Sequence, residues 1–140
     1  HCSNSRKVRK VNKVYKVIRF VKSENMKINS FEEIVAWQKA QELTVEVYRI
    51  FSHHKDFSFR DQIQRASVSI MNNIAEGFER SGDNELRRFL FIAKGSCGEV
   101  RSMAYLARKL DYISESEFAN MISTTTMISK MLSAFIKTLR

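Results

Sequence analysis

The chain has 140 residues, 44% of them hydrophobic and 28% charged, which suits one globular domain with a real core and disfavours a two-domain enzyme. It has no Pro and only 4 Gly, which excludes collagen-like repeats and Pro-rich linkers and disfavours loop-rich all-β folds. The net charge of +9 is unevenly spread: residues 1–27 carry nine Lys and Arg against Glu24 alone, whereas residues 28–140 carry 15 bases and 14 acids. The basicity belongs to an appendage, not to the body.

In that appendage Lys7, Lys10, Lys13, Lys16, Arg19 and Lys22 recur every third residue, a spacing that drifts around a helix and leaves no clean polar face. Lys16 and Arg19 interrupt its apolar run, and no small-residue cleavage site follows, so it is not a signal peptide. Three readings stay open: a basic arm for nucleic acid or anionic lipid, a helix docked on the body, or translated sequence upstream of a native start at Met26. Residues 1–27 are expected to form an extension outside the fold, with residues 28–140 as the domain, and residues 1–25 are expected to be dispensable for folding.

The first helix is expected from Ser30, where Ser30 and Glu33 have the spacing of a capping box. Ala36, Ala40, Leu43, Val47 and Ile50 then alternate steps of four and three, the seam of a bundle helix. Ile34, Trp37, Tyr48 and Phe51 widen that face, and His53 and His54 fall at its end, where a cation suits the helix dipole.

A second helix is expected from about Ser58 to Arg80, with Ile63, Ala66, Ile70, Ile74 and Phe78 inside. Ser81-Gly82-Asp83 breaks it. The third helix keeps the same rhythm through Leu86, Leu90, Ala93, Cys97, Val100, Ala104 and Ala107. Phe89, Ile92, Met103 and Leu106 form a second apolar stripe on it, which marks them as candidates for a subunit interface. Ser114 and Glu117 cap the fourth helix, which is expected to bury Phe118, Ile122, Thr125, Ile128, Leu132, Phe135 and Leu139. Short connections make the fold an all-α, antiparallel up-down-up-down four-helix bundle. No run approaches the roughly 18 apolar residues of a membrane span, and Cys2 and Cys97 cannot build a disulfide framework, so a cytoplasmic protein is expected.

Two polar patterns carry the functional question. Arg65, Ser69, Asn73, Glu76 and Arg80 share one face of the second helix, and Ser96 and Glu99 of the third are placed to meet them. That line reads either as a ligand groove or as an internal network that sets helix register. Arg87, Lys94, Arg101 and Arg108 recur every seventh residue on the third helix, with Arg88 and Lys109 beside them. This row reads either as a phosphate-contacting stripe for RNA or DNA or as a solvated face paired with neighbouring acids.

The inventory for catalysis is thin. A di-metal bundle needs Glu-x-x-His pairs, and neither His53 nor His54 stands three residues after a Glu. Cys2 and Cys97 have no ligand cluster for zinc, and a thiol in a core seam is inert. Gly95-Ser96-Cys97-Gly98 lacks the spacing and the Lys of a phosphate loop. Glu76 with Glu99 is the acid–base pairing on offer. No catalytic residue, metal or cofactor is expected.

The stretch Gln62-Ile63-Gln64-Arg65-Ala66-Ser67-Val68-Ser69-Ile70, then Asn73-Ile74-Ala75-Glu76-Gly77-Phe78 and Arg80, resembles the family of the 23S rRNA intervening-sequence protein. Phe89-Leu90-Phe91-Ile92-Ala93-Lys94-Gly95-Ser96 followed by Glu99 is similar to it as well, and so is the opening MKINSFEEIVAWQKA. The resemblance spans about residues 26–138 and implies a four-helix bundle that assembles as a homopentamer with no known enzymatic activity. Some members of such a family are encoded within intervening sequences of bacterial rRNA genes, and a related branch serves diversity-generating retroelements by binding nucleic acid and a reverse transcriptase. By position the resemblance picks out Arg65, Ser69, Asn73, Glu76, Gly77 and Arg80, then Gly95, Ser96 and Glu99, and assigns them no chemistry. The expected function is therefore a non-enzymatic homo-oligomeric scaffold for a protein partner. The alternative is a nucleic-acid-binding accessory protein.

Overall fold

The structure, a computed structural model, describes residues 28–139, so the readings of the basic extension fall outside the described residues. Four α-helices follow a short 3-10 turn at Phe31–Glu33: α1 (Val35–Phe51), α2 (Phe57–Glu79), α3 (Asp83–Lys109) and α4 (Glu115–Thr138). Each helix packs on its neighbours in sequence and α4 closes against α1, while α1 and α3 lie on one diagonal and α2 and α4 on the other. With connections of only three to five residues, consecutive helices must run antiparallel. This is the up-down-up-down bundle.

The start of α1 departs from expectation. Ser30 makes no side-chain cap and Ile34 precedes the α-helix in extended conformation, so the Ser30–Glu33 capping box does not form. Glu33 instead accepts from the Asn29 amide at 3.1 Å, and the Gln38 side chain donates to the Glu32 carbonyl at 2.7 Å. The reason is packing: Ile34 is 3% exposed, and burying it turns the chain before the helix begins. The second capping box forms as expected, with the Glu117 amide donating to Ser114 Oγ at 3.1 Å and the Ser114 amide to Glu117 Oε1 at 2.8 Å.

The core holds the seams Ala36-Ala40-Leu43-Val47, Ile63-Ala66-Ile70-Ile74 and Leu90-Ala93-Cys97-Val100-Ala104-Ala107. Burying each Leu, Ile or Val side chain stabilises the fold by roughly 1.5–3 kcal/mol. On α1, Ile50 is only partly buried and Tyr48 is exposed, and Phe51 occupies the inward position in their place. On α4 the buried line is Met121-Thr125-Ile128-Leu132-Ile136, with Phe118, Ile122, Phe135 and Leu139 at its margin. Phe78 of α2 is likewise marginal. The seam period was legible, whereas its rotation depends on the flanking helices.

Buried hydroxyls are satisfied within this core, as burial requires. Thr44 donates to the Ala40 carbonyl at 2.8 Å and lies 3.1 Å from the Ser67 carbonyl of α2, while Thr125 donates to Met121 at 2.8 Å. At Gly77 the α2–α3 approach is so close that a Cβ would stand 2.6 Å from Phe89 Cβ. Helix α2 ends at Glu79, and Gly82, with φ of +100°, makes the turn into α3.

Candidate functional site

The polar face of α2 meets α3 as the spacing anticipated, and it forms a network. Ser69 Oγ and Ser96 Oγ stand 2.8 Å apart across the helix pair, and Asn73 Nδ2 donates to Ser69 Oγ at 2.9 Å and to the Ser69 carbonyl at 2.8 Å. Two turns toward the start of α2, Gln62 Nε2 reaches Glu99 Oε1 at 3.4 Å. At the other end Arg80 pairs with Glu76 at 3.0 Å and with Glu85 at 3.6 Å, and its guanidinium lies 4.8 Å over the Phe89 ring. Exposed Arg65 does not join the hydrogen-bonded core of the line. It lines an open groove of about 610 Å³ together with Ser58, Asp61, Gln62, Ser69 and Glu99.

Glu76 and Glu99 are not brought together. Because α2 and α3 are antiparallel and cross at Ser69–Ser96, these two acids lie on opposite sides of the crossing, about 15 Å apart along the axis. That separation removes the acid–base pairing. The line joins α2 to α3 by hydrogen bonds, with an exposed polar groove at one end.

The basic row is broken at one end. Arg108 pairs with Asp111 at 3.2 Å and with Glu115 at 3.4 Å, so its charge is committed to the α3–α4 connection. Arg88 pairs with Glu85 at 3.3 Å. Among the described residues, Arg87, Lys94 and Arg101 enter no ion pair, and Arg87 lies 5.7 Å over the Phe91 ring. The row flanks the α4 side of α3, where Tyr105 meets Phe118 edge-on at 5.2 Å.

The second stripe of α3 divides. Phe89 and Met103 are 6% and 8% exposed and belong to the protomer's own packing, Phe89 because the missing side chain at Gly77 lets α2 approach it. They do not project as interface residues. Ile92 and Leu106 do, at 42% and 49% exposure, and Phe91 and Tyr105 stand beside them at 50% and 53%. Phe91 and Tyr105 escaped the heptad reading because they lie outside both stripes.

Two further clusters bear on chemistry. Cys97 is 1% exposed and its thiol donates to the Thr125 carbonyl at 3.2 Å; burial pushes its pKa up to about 11, the wrong direction for a nucleophile. His54 does not stand free at the helix end but packs against aromatic rings. Its ring packs 4.2 Å from Tyr112 and 5.7 Å from Phe51, and its Nδ1 accepts from the Asp56 amide. Among the described residues no three His, Cys, Asp or Glu side chains gather as metal ligands, and no helix is long and apolar enough to cross a membrane.

Fold and site together define an all-α bundle with a polar line hydrogen-bonded between two of its helices. The 23S rRNA-intervening sequence protein family model matches residues 32–134, and the chain belongs to that family. A crystal structure of a protein of unknown function from the S23 ribosomal protein family of Bacteroides thetaiotaomicron is similar, with a TM-score of 0.68 and 25% identity over 73% of this chain and 98% of that one. Among curated proteins none matches.

Proposed function

We propose that the protein is a non-enzymatic scaffold that works as a homo-oligomer, with five copies the number implied by its family resemblance. The observation that carries this reading is the outward face of α3, where Phe91, Ile92, Tyr105 and Leu106 are each 42–53% exposed on one helix. Scattered apolar residues are ordinary, but large ones gathered along one helix face mark an interaction surface. A network that fixes register, an inert thiol and two separated glutamates all favour assembly over catalysis, and the buried, reduced Cys97 suits the cytoplasm. Light scattering on the full chain at micromolar concentration tests it. A mass several times 16.4 kDa is expected, and a mass of 16.4 kDa overturns the reading.

The second reading is a nucleic-acid-binding accessory protein, favoured by Arg87, Lys94 and Arg101 standing in one row without acidic partners among the described residues. Phosphate contacts release counterions, so binding through this row weakens with salt. Charge reversal at Lys94 and Arg101 in the full chain then lowers retention on RNA or DNA of every sequence and flattens the salt dependence. Retention unchanged by the reversal removes the row from nucleic-acid binding.

A further inference from the structure

We infer that the groove between α2 and α3 binds a free, net-neutral α-amino acid, with Arg65 taking its carboxylate and Glu99 its ammonium group. The inference stands apart from the oligomer and nucleic-acid readings, and neither depends on it. Ser58, Asp61, Gln62, Arg65 and Ser69 lie on one face of α2, Glu99 faces them from α3, and together they line about 610 Å³. Small-molecule sites occupy roughly 300–1,000 Å³. Ala66, 4% exposed, forms the floor, and the Ser69–Ser96 contact closes one end. The walls are polar, so the ligand they suit is polar too.

The polar line of α2 is satisfied in one half and not in the other. From Ser69 to Arg80 its side chains are engaged, Ser69 with Ser96 and Asn73, and Glu76 with Arg80. Between Ser58 and Arg65 the bond across to α3 among the described residues is the 3.4 Å contact of Gln62 with Glu99. Arg65 lies four residues before Ser69, and Glu99 three after Ser96 on the antiparallel helix, so at about 1.5 Å per residue the two stand nearly level. They nevertheless form no ion pair with each other or with any other described residue. Gln62, three residues before Arg65, holds the Glu99 carboxylate on its own side.

Charge sets the ligand class. Asp61 is paired with Arg60 at 2.9 Å, so the uncommitted charges of the groove are one guanidinium and one carboxylate. A net anion would be repelled by Glu99 and a net cation by Arg65, whereas a zwitterion satisfies both. The planar guanidinium presents parallel donors that match a carboxylate, and an ammonium group donates to the Glu99 oxygens. Gln62 and Ser58 add an amide and a hydroxyl beside these charges, which favours a side chain that itself hydrogen-bonds, as in glutamine or asparagine. The groove lies open to solvent, so binding is weak. A dissociation constant on the order of 1 mM suits a ligand of about ten non-hydrogen atoms held from one side.

Isothermal titration calorimetry on the full chain, with L-glutamine and L-asparagine as probes, tests this. Saturable heat is expected from both, and none from N-acetyl-L-glutamine or L-glutamine amide, each of which lacks one of the two charges. Arg65→Gln and Glu99→Gln are each expected to weaken binding by about tenfold or more, because each leaves one charge of the ligand without its partner. Both positions are exposed, so the variants should keep the wild-type circular dichroism and melting temperature, which separates lost binding from lost folding. No saturable heat from either amino acid overturns the inference. Blocked forms that bind as well as free glutamine overturn the zwitterion, and binding that ignores both substitutions overturns the site. None of these results changes the mass measured by light scattering, so a failure here is distinct from a failure of the oligomer reading.

Discussion

Tyr112 Oη donates a 2.7 Å hydrogen bond to Asp56 Oδ2, which joins the α1–α2 connection to the α3–α4 connection at one end of the bundle. Both residues are placed by helix termini. Asp56 caps α2 by accepting from the Phe59 amide at 3.1 Å. Tyr112 follows the end of α3, where its amide bonds the Ala107 carbonyl at 2.8 Å and Asp111 takes a left-handed φ of 57°, the pattern of a Schellman motif with Asp in place of Gly.

This bond predicts a pH signature. The Tyr112 hydrogen bond, and after it the Phe59 amide, hold the Asp56 carboxyl below its ordinary value, so its contribution is present above the carboxylate range and lost as pH falls through the folded pKa. The same bond raises the Tyr112 phenol, whose contribution is present below the usual tyrosine range and lost as pH rises through its folded pKa. Tyr112→Phe is expected to lower stability most near neutral pH, with the difference from wild type shrinking toward acid and toward alkali. Urea midpoints at several pH values check this. A difference that does not vary with pH would show that the bond contributes nothing.

Glycine positions on the two sides of α2–α3 should behave oppositely. Gly77→Ala forces its Cβ against Phe89, and overpacking of this kind costs about 1–3 kcal/mol, more than the roughly 1 kcal/mol gained from helix propensity. Gly95→Ala meets only open space, so the protomer should gain up to about 1 kcal/mol. Denaturation curves at dilutions below assembly measure both signs.

The Ser69–Ser96 contact should act as a register clamp. Ser69→Ala and Ser96→Ala are each expected to cost about 0.5–1.5 kcal/mol, and the double variant less than the sum, because the second substitution removes an already lost bond. Strict additivity in the double-mutant cycle would mean that the two hydroxyls do not interact.

Cys97 should resist alkylation. Burial raises its pKa to about 11, above the unfolded value of 9.0, so the protonated thiol stabilises the fold below the unfolded pKa and this support is lost as pH rises through about 11. In a Cys2→Ser background a thiol reagent at about pH 8 should label Cys97 only after denaturant is added. Fast labelling of the native protein would contradict the burial of this seam.

Sequence alone determined the class of fold. The absence of Pro, the steps of four and three in each seam, and Ser114 with Glu117 are local properties, written at helical spacing and independent of what each helix meets. The polar line was legible for the same reason, since Ser69, Asn73, Glu76 and Arg80 share a face of α2 whatever packs against it. Tertiary structure decided the rest. Ser30 lost its cap to the burial of Ile34, Phe89 became core because Gly77 admits α3 closely, and Met103 is buried as well. Arg108 left the basic row for Asp111 and Glu115, and His54 left the helix end for Tyr112. Periodicity states which residues share a face, but the distance between facing helices states whether that face is covered, and only packing sets that distance.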